Sequence, residues 1–286
     1  MKRRRPEAGT FPGGSFPRDS VVWITGASSG IGASLAELCA AEGAEVLVLS
    51  GRSRERLQTV AERCRAAGRT ALRVEILPFD AGNPPERAGA LAELAARELI
   101  PDVLVNNAGV SQRGLAVNTV FSVDRDIMEV DFLAPVELTK AVLPAMIRRG
   151  RGTVVVVSSV AGLIPAPLRS GYNAAKAAQI AYFGTLSNEL AASGSPVGVV
   201  TVIPGFVRTG ISENAIGTDG TAWGRMDPNQ EGGIGPDRAA ADIAEGIRRG
   251  RRVVFTGVPA RLRIALMLRR FAPAILDRVL QRVKVT

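Results

Sequence analysis

Histidine is absent from all 286 residues. Without it the chain cannot build a Ser-His-Asp triad, a Cys-His dyad or a histidine-ligated metal site. Cysteine occurs only twice, as Cys39 and Cys64, both in segments of helical composition. They make no disulfide framework and read as buried apolar thiols, which fits a reducing, cytoplasmic setting. Lysine is scarce too: Lys2, Lys140, Lys176 and Lys284 are the only four among 36 basic residues. A lysine inside a motif therefore carries more information than an arginine does. No run of about 18 apolar residues occurs, so no spanning helix is expected. The basic start, residues 2–5, is followed by no apolar stretch, so no leader is expected either.

The net charge of +9 sits at the two ends. Residues 1–20 hold five basic and two acidic side chains, and residues 251–286 hold nine basic and one acidic. Residues 21–250 are left with a slight acidic excess. Basicity of this kind does not describe a nucleic-acid-binding domain, and no nucleic-acid partner is expected.

Residues 1–20 are rich in Pro, Gly and Arg without periodicity and read as a flexible basic arm. From Val21 onward, short apolar runs alternate with helix-period segments. Strands are expected at 21–25, 45–50, 70–77, 102–106, 153–158, 197–203 and 252–256. Helices are expected near 30–42, 53–67, 84–98, 119–148, 170–192 and 236–249. Wholly apolar strands separated by helices imply a parallel sheet covered on both faces. The expected fold class is α/β: a single doubly wound Rossmann-type domain over 21–258, with seven parallel strands. Ligands of such sheets bind beyond the carboxyl ends of the strands, so the residues just after each strand matter most.

After the first strand comes Thr25–Gly32, TGASSGIG. Its glycines permit positive φ and close approach of a ligand to the backbone, and a following helix start offers free N–H groups to a pyrophosphate. Gly26, Ser28, Ser29, Gly30, Ile31 and Gly32 are the candidate contacts; a tight turn is the plainer alternative. After the second strand, Arg52 stands where a carboxylate would accept from a free ribose 2′-hydroxyl, and an arginine there suits a 2′-phosphate. That favours NADP(H) over NAD(H), against the alternative of a solvated surface arginine. Asp80 follows the third strand, either as an acceptor for an adenine amino group or as a turn or cap residue. Asn106-Asn107-Ala108-Gly109 closes the fourth strand with two amides able to tie strand ends together.

Tyr172 and Lys176 lie four apart in a helical segment and share a face. A free phenol titrates near pH 10, and a nearby ammonium favours the phenolate. Such a pair is a route to acid/base catalysis without histidine. A serine hydroxyl aimed at the same oxygen would stabilise developing negative charge. Tyr182, the other tyrosine, has no lysine four residues on.

TGASSGIG, NNAG, Ser159 placed thirteen residues before Tyr172, YNAAK, and Ile203–Thr209 (IPGFVRT) occur in an order that resembles the short-chain dehydrogenase/reductase family. The likeness spans about 21–258. GVSQR (109–113), ISENA (211–215) and the basic tail are similar to the branch containing dehydrogenase/reductase member 7-type proteins. The resemblance implies an oxidoreductase that interconverts a carbonyl and an alcohol on a small molecule, and it implies a homo-oligomer. It implies Tyr172 as proton donor and acceptor, Ser159 as the group orienting the substrate oxygen, and Lys176 on the nicotinamide ribose. Asn107, Val207 and Thr209 are implied as cofactor contacts. The family usually has an asparagine where this chain has Asp131. An aspartate keeps an acceptor, loses the amide donor and adds negative charge near Lys176. Catalysis with an altered pH optimum is the expectation; the alternative is that the backbone carbonyl acts and the side chain is tolerated.

Residues 206–235 read as a long glycine-rich loop beside the site. There Ile211, Ile216, Trp223 and Met226 either line an apolar pocket for a lipophilic substrate or pack the loop down. Residues 259–286 mix apolar residues with six arginines and one lysine, and Pro273 splits them into two helices. This tail reads as a helix packed on the domain or on a partner subunit, or as a peripheral membrane contact. A different class of function stays open: a nucleotide-binding sensor or scaffold that keeps the fold without turnover.

Overall fold

The computed structural model describes residues 16–282. Seven strands form one sheet: β1 Val21–Thr25, β2 Val46–Ser50, β3 Arg73–Ile76, β4 Val103–Asn106, β5 Thr153–Val157, β6 Gly198–Pro204 and β7 Val253–Thr256. Their spatial order is β3-β2-β1-β4-β5-β6-β7, and every pairing is parallel. β2 and β5 are buried at every position, which is why they read as unbroken β-branched and leucine runs. β3 is shorter than expected.

Helices α1 Gly30–Ala41, α2 Arg54–Ala67 and α8 Pro236–Arg248 accompany one core, holding Leu35, Leu57, Ile243 and Ile247. α3 Pro84–Ala96, α5 Ala134–Arg149 and α6 Ser170–Ala192 accompany the other, with Leu94, Leu138, Met146 and Phe183. Neighbouring strand residues feed opposite cores: Trp23 belongs to the second and Ile24 to the first. Local chemistry starts and stops the helices. Ser53 caps α2 by accepting from Arg56 N–H (3.2 Å), Asn83 followed by Pro84 opens α3, and Gly150 at φ 74° ends α5.

Three expectations change. The single helix expected at 119–148 is α4 Phe121–Met128 and α5, joined by a π-helical turn at Glu129–Leu133. The loop after β6 contains a short helix, α7 Pro228–Glu231. The arm expected over 1–20 does not extend to its last residues: Phe16 is 2 % exposed inside the first core, and its carbonyl accepts from Arg248 Nε (3.1 Å). An aromatic ring needs burial more than the surrounding Pro and Gly need freedom. Residues 1–15 of that arm lie outside the described residues. Pro273 does split the tail, into α9 Ala260–Phe271 and α10 Pro273–Leu280.

Both cysteines are buried without a disulfide. Burial pushes the Cys39 thiol up, and the Cys64 thiol to about 12. Among the described residues no helix is long and apolar enough to cross a membrane.

Candidate active site

The chain steps outward through β1, β2 and β3, then returns to place β4 on the other side of β1. That reversal opens a crevice at the carboxyl ends of β1 and β4, where a doubly wound sheet takes its ligand. One cleft lies there. Gly26, Ser28, Ser29, Gly30, Ile31, Arg52, Asp80, Asn107, Ser159, Tyr172, Lys176, Val207 and Thr209 all line it.

The glycine turn forms the floor. Gly26 and Gly30 have φ +64° and +56°, a region costly to side chains with a Cβ. A Cβ on Gly26 would lie 2.8 Å from Ala108 Cα. Gly32 does not line the cleft; a Cβ there would collide with the Gly26 carbonyl, so its bareness lets α1 pack against the turn. Ser29 makes no side-chain cap to α1, leaving the helix start to other acceptors. Asn107 Nδ2 donates to the carbonyls of Thr25 (3.0 Å) and Gly26 (3.1 Å), fastening the end of β4 to the turn after β1. Asn106 Nδ2 donates instead to Thr139 Oγ1 on α5 (3.1 Å). Asp80 makes an Asx turn, its Oδ1 accepting from Gly82 N–H (2.8 Å), and the residue also lines the cleft. Arg56, in the first turn of α2, lines the cleft as well. The sequence reading missed it; Arg52 precedes the N-cap Ser53, so no helical spacing links the two arginines.

On the other wall the two serines after β5 divide their tasks. Ser158 Oγ donates to the Lys176 carbonyl (2.9 Å) and ties β5 to α6. Ser159 Oγ accepts from Ala161 N–H (3.1 Å) and opens a single 3₁₀ turn, Val160–Gly162. Tyr172 is 6 % exposed. Lys176 Nζ lies 5.6 Å from the centre of its ring.

Asp131 is brought to Lys176 but not to the cleft. It is fully buried in the π-helical turn, with Oδ2 3.2 Å from Lys176 Nζ. Its Oδ1 accepts from Val110 N–H (2.8 Å), and its carbonyl accepts from Gln179 Nε2. Lys176 Nζ also donates to the Val157 carbonyl (3.1 Å). Gly109 leaves room for the pair: a Cβ there would stand 3.3 Å from both Asp131 Oδ1 and Lys176 Nζ. Burial raises the Asp131 carboxyl above its usual range, and the Lys176 charge and the Val110 amide pull it back.

Of the four apolar residues read either as pocket lining or as packing for the loop, only Ile211 lines the cleft. Ile216 packs against the small core of Val123, Ile127 and Ala175, and Trp223 is 37 % exposed. Burial of Ile216 under the loop satisfies it better than a solvent-facing cleft would. Polar Asn214 and Gln230 line the cleft from this loop instead. The loop is held by a cluster the sequence reading did not find. Asp227 pairs with Arg113 (3.2 Å) and Arg169 (2.5 Å), and Arg113 also donates to Ser111 and Ser212. Burial, then the neighbouring Arg169, lowers Arg113 to about 10, and it stands within electrostatic reach of Tyr172. Its partners Ser212 and Asp227 lie about a hundred residues away, which leaves no local pattern.

A family model described as short chain dehydrogenase matches residues 20–219. Dehydrogenase/reductase SDR family member 7B of Danio rerio is 40% identical over 97% of this chain and 87% of its own length. The Bos taurus protein of the same name is 39% identical over 93% of this chain and 82% of its own. Among solved structures, a short-chain dehydrogenase from Sphingobium yanoikuyae in complex with NADPH superposes with a TM-score of 0.73. It is 28% identical and covers 93% of this chain and 96% of that one. A short chain dehydrogenase/reductase from Burkholderia phymatum in complex with NAD gives 0.75 at 26% identity, covering 94% and 97%.

Proposed function

The chain belongs to the short-chain dehydrogenase/reductase family and is an oxidoreductase of CH–OH groups using a nicotinamide cofactor; from that premise we propose that it interconverts a lipophilic carbonyl compound and its alcohol with NADP(H), Tyr172 moving the proton. The residues present fit the cofactor. The left-handed Gly26 and Gly30 and the uncapped start of α1 form a bare backbone cradle for a pyrophosphate. Arg52 and Arg56 line the cleft beside the end of β2, where residues 50–54 offer no carboxylate, so a 2′-phosphate is favoured over a free hydroxyl. Bound there, the cofactor would supply or accept a hydride.

The chain's own groups do the rest. The Tyr172 hydroxyl gives its proton to the substrate oxygen in reduction and takes it back in oxidation. The Ser159 hydroxyl holds that oxygen against the phenol and stabilises charge developing on it. Lys176 holds its ammonium beside the Tyr172 ring and would hold the cofactor ribose. Asn107 and Thr209 confine the reactive end of the cleft, and Thr209 lies against Gly30. Ile211 and Val110 give the substrate side an apolar wall, with Asn214 and Gln230 as its hydrogen-bonding groups. Assembly as a homo-oligomer is part of the same proposal, supported by the exposed Val117, Val120 and Phe121 before and at the start of α4.

The convergence of Ser159, Tyr172 and Lys176 on one cleft floored by the glycine turn carries this reading. NADPH oxidation is followed with a panel of ketones for the unaltered protein and for Tyr172→Phe. The variant should lose roughly 10²–10⁴-fold in turnover while binding NADPH as before. Equal activity would remove Tyr172 from the chemistry. NADPH binding with no turnover of any ketone or alcohol would favour the sensor instead.

A further inference from the structure

α9 has no buried residue, and α10 buries only Leu276. On α9, Ile264, Met267 and Phe271 are 60%, 59% and 71% exposed. Their spacing of three and four sets them on one face. α10 repeats the pattern with Ile275 and Val279, both about half exposed. These two helices do not pack away their apolar residues in the way a terminal helix docked on the domain would.

Arginines border both stripes. Arg261, Arg263, Arg269, Arg270, Arg278 and Arg282 are all exposed, and Asp277 is the sole acid among them. Among the described residues none of the six pairs with a carboxylate: Arg261 donates to Asn229 Oδ1 (2.8 Å) and Arg263 to the Val258 carbonyl (3.2 Å). An apolar stripe flanked by uncompensated cations fits the boundary between lipid headgroups and acyl chains. A second copy fits worse, because a two-fold interface would set arginine against arginine.

We propose that α9 and α10 form a docking surface for an anionic membrane: Ile264, Met267, Phe271, Ile275 and Val279 enter the interface, and the arginines engage lipid phosphates and carboxylates. The surface adjoins the substrate loop, because Arg261 spans from α9 to Asn229 on α7 and to the ring of Phe206 (5.0 Å). The proposal does not depend on catalysis.

The full chain is sedimented with vesicles of phosphatidylcholine alone and with vesicles that also contain phosphatidylserine. Binding to the anionic vesicles only, weakened by salt, is expected. Met267→Asp with Phe271→Asp should reduce partitioning about tenfold or more, and Arg269→Glu with Arg270→Glu about fivefold or more per charge. These side chains are exposed, so circular dichroism should show unchanged folding. Equal binding to both vesicle types, or none, would overturn the proposal. Binding untouched by either variant would do so too, assigning the attraction to the basic residues 2–5. A dimer in light scattering that Met267→Asp dissolves would make the face a seam between copies.

Discussion

Lys176 is held from two sides, by the Val157 carbonyl and by the fully buried Asp131 carboxylate, while the residue still lines the cleft. The carboxylate neutralises part of the ammonium's influence on the cleft. Removing it should therefore strengthen the pull on the neighbouring phenol. In Asp131→Asn, the pH at which alcohol oxidation reaches half its plateau should fall by about one unit. pH–rate profiles of the two proteins check this, and superimposable curves would leave the carboxylate without a role in the chemistry. The same group bears on stability. Its folded value is raised, so the native state binds this proton more readily than the unfolded chain does. Its contribution is then present at low pH and lost as pH rises from the ordinary carboxylate range through the folded value. The substitution at 131 was legible in the sequence. Its seclusion from the cleft was not, since residues 129–133 read as ordinary helix and only the three-dimensional path turns this side chain inward.

That path is made by an element. The π-helical turn between α4 and α5 inserts one residue's worth of backbone, a device often found beside functional sites. It is braced from α6 by Gln179 and from α3 by Arg87. Arg87 is 3 % exposed and pairs with Glu129 in the turn and Glu137 on α5, each at 2.6 Å, while also donating to the Ala81 carbonyl (2.5 Å). Arg87→Met keeps the apolar stem and deletes the charge, leaving two carboxylates facing each other. Both are partly exposed, which softens the cost; a loss of about 2 kcal/mol is expected in urea denaturation. An unchanged midpoint would show that the turn stands without this brace. Regular elements were legible because each obeys a period: β1, α1, β5 and α6 fall within a residue or two of their expected bounds. The brace and the Arg113–Asp227–Arg169 cluster obey none. Their partners are polar, distant in sequence, and selected by the fold.

At the scale of the whole molecule, the reversal between β1 and β4 gathers residues from 25 to 230 around one crevice. A dinucleotide bound there touches both halves of the sheet and stabilises them together. At a hundredfold excess over its dissociation constant, about 2.7 kcal/mol is added to stability. NADPH should thus raise the thermal midpoint more than NADH does at equal concentration. Arg52→Ala combined with Arg56→Ala should erase that difference while sparing the effect of NADH. A midpoint that responds alike to both dinucleotides in the unaltered protein would count against the 2′-phosphate reading. The seven parallel strands were legible from alternation alone, and so were the strand-end motifs. The composition of the loop wall was not, because Ile216 and Trp223 look equally suited to a pocket or to packing until the loop's course is known. One further consequence follows from Cys39 and Cys64, which belong to the same core beneath α1 and α2. Shielded together, they react with an alkylating reagent only when that layer lifts from the sheet. Iodoacetamide uptake therefore ticks as a clock for opening of the cofactor half, readable without any added label.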